Sequence, residues 1–336
     1  MKIITFEEHI IEKELTGASR QAILDIAPYY AYSLGRTLPY FPDFAVYADL
    51  GEKRIADMDR NGIDVQVLSC PAETGLLPPE TAIPLTRAVN DRMAAATRAH
   101  PDRFMAFAVL PWADPQAAAD ELARCVLELG MAGALLAGRP DPGAIFLDDP
   151  RYMPILAVAE RLGVPIYIHP GTPHPAVQDA YYARLETELS ARLSLFGWGW
   201  HNEAGIQVLR MTLSGVFERF PKLQIISGHW GEFVPYYLAR LDQALPRACT
   251  HLSTTITEAY ARHVYVTPSG IFTEAHVRFI RDTIGIDRIL FSVDFPLVPN
   301  DGARDWLTGM DITEKEKELI AHGNAEALFS NRVNSI

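Results

Sequence analysis

Short apolar runs punctuate this chain, and most of them are continuous rather than alternating. Eight stand out, at residues 2–6, 64–70, 104–110, 133–137, 164–168, 223–227, 264–267 and 289–293. Runs of this kind suit strands buried on both faces. Helix-like patterns lie between them. Arg54 to Asn61 is one, Pro115 to Leu129 is another, ended by Gly130, and Tyr152 to Leu162 is a third. Gly163 stops the third, because glycine readily takes the left-handed cap conformation. Strand and helix alternating eight times predict an α/β fold, a (β/α)8 barrel formed as a single domain over residues 1–336.

Two connections are too long for simple loops. Residues 10–50, after the first strand, contain Tyr29, Tyr30, Tyr32, Tyr40, Phe41, Phe44 and Tyr47; residues 170–205, after the fifth, contain Phe196-Gly197-Trp198-Gly199-Trp200. Long insertions at this end of a barrel build a substrate pocket or a subunit interface. Their aromatic content fits a flat apolar substrate, and a packed lid or subunit contact explains it equally well. The sequence shows no internal repeat, low-complexity tract or domain boundary.

Composition changes this picture little. The chain is 49% hydrophobic and 21% charged, ordinary for a globular protein. A net charge of −12 argues against nucleic acid or an anionic membrane as partner. Cys70, Cys125 and Cys249 have no paired spacing, so neither a disulfide framework nor a zinc ribbon is indicated. Glu7 and Glu8 interrupt the apolar start before a signal-peptide core forms, and no run is long enough to span a bilayer. These features predict a cytoplasmic protein.

The candidate chemistry sits where the apolar runs end. Glu7-Glu8-His9 follows the first, His169 the fifth, His229 the sixth and Asp294 the eighth. The carboxyl ends of barrel strands converge, so groups far apart in sequence can share one metal there. Glu7 and His9 are two apart on a strand, so regular alternation points them the same way and Glu8 the other. His169, locked by Pro170, suits a ligand better than core filler. His229 lies between Gly228 and Gly231, with Glu232 placed to accept a hydrogen bond from it and set its tautomer; a helix-start carboxylate is the simpler role for Glu232. Asp294 at so apolar a strand end needs a partner, either a metal, a histidine or an arginine. Arg54 is a candidate clamp for a substrate carboxylate, or else a solvated helix-face cation. His174 and His201 fall in the second insertion and are read as structural. His100, His251, His263, His276 and His322 lack strand-end context.

With those residues in view, the chain resembles the amidohydrolase-type metal-dependent decarboxylases, which act on gamma-resorcylate, 2,3-dihydroxybenzoate, 5-carboxyvanillate and aminocarboxymuconate semialdehyde. The likeness runs through Glu7-Glu8-His9, His100-Pro101-Asp102-Arg103-Phe104, Pro165 to Pro170, Gly215-Val216-Phe217, Pro221-Lys222-Leu223, Gly228 to Glu232 and Leu290 to Pro296. It implies an amidohydrolase-type TIM barrel in which Glu7, His9, His169 and Asp294 bind one divalent metal. It further implies that His229 is an acid or base beside that metal, and that Arg54 matches an arginine some members use on a substrate carboxylate. Glu-x-His at the front follows the benzoate-type members; the aminocarboxymuconate type has His-x-His. The added carboxylate favours manganese over zinc. One departure is Ala137, where several benzoate-type members place an asparagine.

The expected activity is nonoxidative decarboxylation of a hydroxylated aromatic carboxylate, without an organic cofactor. In that scheme the metal chelates the carboxylate and an ortho-hydroxyl, and Asp294, assisted by His229 and Glu232, protonates the ring carbon. Hydrolysis of a lactone, amide or ester by the same metal is the alternative, and a non-catalytic metal-binding barrel is a third. A homodimer or homotetramer is the family's expectation.

Overall fold

The structure, a computed structural model, describes residues 1–27, 43–330 and 332. Seven strands form one parallel sheet in chain order: β1 (Ile4–His9), β2 (Val65–Ser69), β3 (Phe104–Val109), β4 (Gly133–Ala137), β5 (Ile166–His169), β6 (Ile225–Ser227) and β7 (Val264–Val266). The eighth predicted run forms only isolated bridges, Val266 with Ile289 and Phe6 with Ser292, both parallel. The Leu290 amide donates to the Val266 carbonyl and the Phe6 amide to the Phe291 carbonyl, each at 2.9 Å. Residues 289–293 thus join the two edges and close the barrel. Past Val293 the backbone turns at Asp294, φ +71°, and the His9 amide donates to the Phe295 carbonyl at 2.6 Å.

Residues alternate between two buried layers, which explains why the runs read as continuously apolar. Phe6, Val67, Phe107, Leu135, Tyr167, Ile226, Tyr265 and Leu290 fill the barrel interior. Their neighbours Leu68, Ala134, Leu136, Ile166, Ile168, Ile225, Val264 and Val266 face the helices. The helices that matter for the site are α1 (Lys13–Ile26), α2 (Glu52–Asn61), α3 (Pro115–Leu127), α4 (Met153–Leu162) and α5 (Gly199–Leu213). The Asp114 carboxylate caps α3 by accepting the amides of Gln116 and Ala117, and Gly163 closes α4 at φ +66°. Helix α3 ends two residues before the expected Leu129.

The β1–β2 insertion holds α1, a short helix at Phe44–Tyr47, and α2. Tyr29, Tyr30, Tyr32, Tyr40 and Phe41 lie outside the described residues; Phe44 is exposed and Tyr47 buried. The β5–β6 insertion folds into short helical turns before α5, and Trp198 stacks on Phe233 with ring centroids 4.3 Å apart. All three cysteines are free. No helix among the described residues is long and apolar enough to cross a membrane.

Candidate active site

Strand β1 does not continue in regular alternation. Ile4 and Phe6 face the interior, so an unbroken strand would turn Glu8 inward and send Glu7 and His9 out toward the helices. The register against β2 shifts between Thr5 and Glu8, and Glu7 adopts φ +62°. This bulge re-aims the strand end, so Glu7 and His9 do converge, by a route that simple alternation misplaces.

The ligand atoms of Glu7, His9 and His169 lie within 4.8 Å of one another, and Asp294 Oδ1 stands 3.0 Å from His9 Nε2. Glu7 Oε1, His9 Nε2 and Asp294 Oδ1 are buried without hydrogen-bond partners. His169 Nε2 lies 3.7 Å from Glu7 Oε1. The other atom of each group is held. His9 Nδ1 lies 3.0 Å from Ser69 Oγ, and His169 Nδ1 donates to the Pro170 carbonyl at 2.7 Å, which leaves the His169 Nε2 as an electron-pair donor. Glu7 Oε2 accepts from Tyr167 Oη at 2.5 Å and from Ser269 Oγ. Burial raises the Glu7 carboxyl above its ordinary range, and burial together with His9 holds the His169 imidazole well below its own. Buried, unpartnered carboxylate and imidazole atoms facing one point fit a divalent cation.

Gly228 permits this approach. A Cβ there would lie 3.0 Å from Tyr167 Oη and 3.1 Å from both Glu7 Oε1 and Ser269 Oγ.

Asp294 is held from behind by Glu8. The Val293 amide donates to Glu8 Oε1 at 3.1 Å and the Phe295 amide to Glu8 Oε2 at 3.3 Å, one on each side of Asp294. Gln66 donates to the same carboxylate at 3.4 Å. Burial pushes the Glu8 carboxyl up to about 8, against the pull of the Val293 amide and Arg54.

Arg54, the candidate clamp for a substrate carboxylate, also belongs to this support. It is buried; Nε donates to Gln66 Oε1 at 2.7 Å and Nη1 to the His9 carbonyl at 3.0 Å. Nη2 is buried without a hydrogen-bond partner. Its separation from Glu8 by a long stretch of sequence hid the association.

His229 and Glu232 lie in a run of left-handed backbone, with φ between +45° and +82° from His229 to Phe233. Only Gly231 of the five is a glycine, so the turn is imposed by its surroundings. His229 Nδ1 lies 2.7 Å from Glu232 Oε1. The second oxygen, Oε2, lies 2.9 Å from His201 Nδ1. Nothing local in the sequence distinguishes His201, which enters from the first turn of α5. Burial alone would lower the His229 imidazole, but Glu232 and Glu7 carry it up to about 10. Burial would raise Glu232, and His229 and His201 overcome that and lower it.

A cavity of about 390 Å³ opens over His9 and His169, lined also by Ile23, Tyr47, Trp200 and Leu297. A cavity of about 430 Å³ at Glu160, Lys222 and Leu328 lies at the opposite barrel end and has no convergent donors. Ala137 is buried in the barrel interior, so the amide expected from the resemblance is absent. His174 caps a short turn in the β5–β6 insertion, where its Nδ1 accepts from the Ala176 amide.

A parallel barrel with a carboxylate–histidine cluster at its carboxyl end defines a class of metal-dependent enzymes, and residues 46–330 match the amidohydrolase family. The chain belongs to that family. Among its relatives, Decarboxylase orsB of Emericella nidulans is 36% identical over 88% of this chain and 90% of its own length. Gamma-resorcylate decarboxylase of a Rhizobium species is 36% identical over 84% of this chain and 87% of its own. The structure of dihydroxybenzoic acid decarboxylase from a Polaromonas species, with bound manganese and the inhibitor 2-nitroresorcinol, superposes with a TM-score of 0.84 at 32% identity, covering 100% of this chain and 99% of that one.

Proposed function

We propose that this protein catalyses the nonoxidative decarboxylation of a hydroxylated benzoate-type carboxylate. It would use one divalent metal, manganese in preference to zinc, and no organic cofactor. The observation that carries the reading is the set of buried, unpartnered atoms Glu7 Oε1, His9 Nε2 and Asp294 Oδ1, which face His169 beneath a largely apolar cavity. The decarboxylase relatives and the manganese bound by the Polaromonas enzyme support it.

A divalent cation held by Glu7, His9, His169 and Asp294 would supply positive charge that attracts the substrate carboxylate and stabilises charge developing on the ring. The chain supplies the rest. Ile23, Tyr47 and Leu297 line a slot for the flat ring and exclude water. Asp294 delivers a proton to the ring carbon bearing the carboxylate. The bond from that carbon to the carboxylate then breaks, its electron pair restores the aromatic ring, and carbon dioxide leaves. His229 returns a proton to Asp294, with its Nδ1 held by Glu232 so that Nε2 makes the exchange. A cytoplasmic homodimer or homotetramer completes the reading, supported by the family resemblance.

The test is a panel of ortho-hydroxybenzoates and lactones given to the manganese-loaded protein. Carbon dioxide release that disappears in Asp294→Asn is the expected result. Turnover of lactones alone would overturn the reading in favour of hydrolysis.

A further inference from the structure

Glu232 shares its carboxylate between two imidazoles. His229 Nδ1 lies 2.7 Å from one oxygen and His201 Nδ1 2.9 Å from the other, with the two rings 4.4 Å apart. Glu232 is fully enclosed, so neither oxygen has water to fall back on. A carboxylate with one bonded oxygen can still rotate about its terminal torsion; one bonded at both oxygens cannot. The orientation of Glu232, and through it that of His229, therefore depends on a residue from α5.

His201 is itself fixed on its far side. Its Nε2 lies 3.1 Å from the indole Nε1 of Trp200 and 3.0 Å from the Phe196 carbonyl. The indole is a donor and the carbonyl an acceptor. The neutral ring, protonated at Nδ1, accepts from Trp200; the cationic ring donates to Phe196. In both states Nδ1 carries the hydrogen that Glu232 requires. The aromatic segment Phe196 to Trp200 of the second insertion thus has a definite task at this ring.

Resting on the decarboxylase reading for its catalytic consequence, we infer that His201 is a positioning residue for His229: it holds the second oxygen of Glu232 and so keeps the His229 Nδ1–H directed at Glu232 and leaves Nε2 as the nitrogen that exchanges a proton. Among the described residues, the hydrogen bonds of His201 go to Glu232, Trp200 and Phe196 and to none of the proposed metal donors.

Histidine-labelled protein, metal-free and without substrate, gives a test independent of turnover. Long-range proton–nitrogen spectra should show His201 and His229 both protonated at Nδ1, with hydrogen-bonded protons far downfield. His201 protonated only at Nε2 would overturn the inference without any variant. In His201→Phe the ring volume stays and the donor goes. The His229 proton should move upfield, kcat should fall about 10-fold or more, and KM and manganese affinity should change less than about threefold. His201→Asn, whose amide can donate to Glu232, should recover much of the rate. An unshifted His229 resonance in His201→Phe, or equal rates for Phe and Asn, would overturn it. If no benzoate is turned over by the parent protein, the decarboxylase reading fails while the spectra still decide the role of His201.

Discussion

Tyr167 Oη lies 2.5 Å from Glu7 Oε2 and 2.8 Å from Thr267 Oγ1, deep in the barrel interior. The hydroxyl occupies one Glu7 oxygen and leaves the other bare, so Glu7 offers a single atom to a metal. Tyr167→Phe should keep the fold, because the ring remains, and weaken manganese binding about 10- to 100-fold. Titration of free manganese by electron paramagnetic resonance measures this. Unchanged affinity would mean that Ser269 alone orients Glu7.

Removal of a proposed donor should have a larger effect. Glu7→Ala and His169→Ala should each purify with roughly a tenth or less of the parent's manganese after dialysis, read by elemental analysis. If Glu7→Ala retains its metal, the donor set is wrong.

Arg54 gives a prediction that separates its two possible roles. As the cation beside buried Glu8, its loss in Arg54→Met should cost about 3–5 kcal/mol of stability, read by urea denaturation. The Glu8→Gln/Arg54→Met pair should lose less than the sum of the two single changes, since no buried charge is then left alone. A rise in KM with unchanged stability would favour the clamp reading.

The pH dependence of the metal-free protein should report His229. Its folded value of about 10 lies above the ordinary value of 6.5, so its contribution to stability is complete below 6.5 and is lost as pH rises through about 10. Glu8 is likewise raised, to about 8, and its contribution is lost between its ordinary 4.5 and that value. Thermal scans from pH 8 to 10 in chelator should show a fall in Tm that His229→Gln reduces. With metal bound the same imidazole should ionise at lower pH, because the cation opposes its charge.

The barrel and the positions of its polar strand ends were legible because each strand is short, apolar and followed by a residue that cannot be core filler. His169 and Asp294 follow the inward phase set by Tyr167 and Leu290, so period-two reasoning reaches them. Glu7 and His9 were named through the same reasoning although β1 breaks it: the bulge depends on contacts with β2 and the 289–295 segment, which no local pattern announces. The surroundings of Arg54 and His201 were less legible. Each acts through a buried partner distant in sequence, Glu8 for one and Glu232 for the other, and pairing of that kind is decided by packing.

Gly228 carries a consequence for how such a site can diverge. Its missing side chain is the space in which Tyr167, Glu7 and Ser269 meet, so even one added methyl group would push against three groups that fix the proposed donor atom. Alanine at this position would require those groups to yield by a few tenths of an ångström. New substrate preferences arise more readily from the wall that the β1–β2 insertion supplies through Ile23 and Tyr47, since the β5–β6 insertion also holds His201.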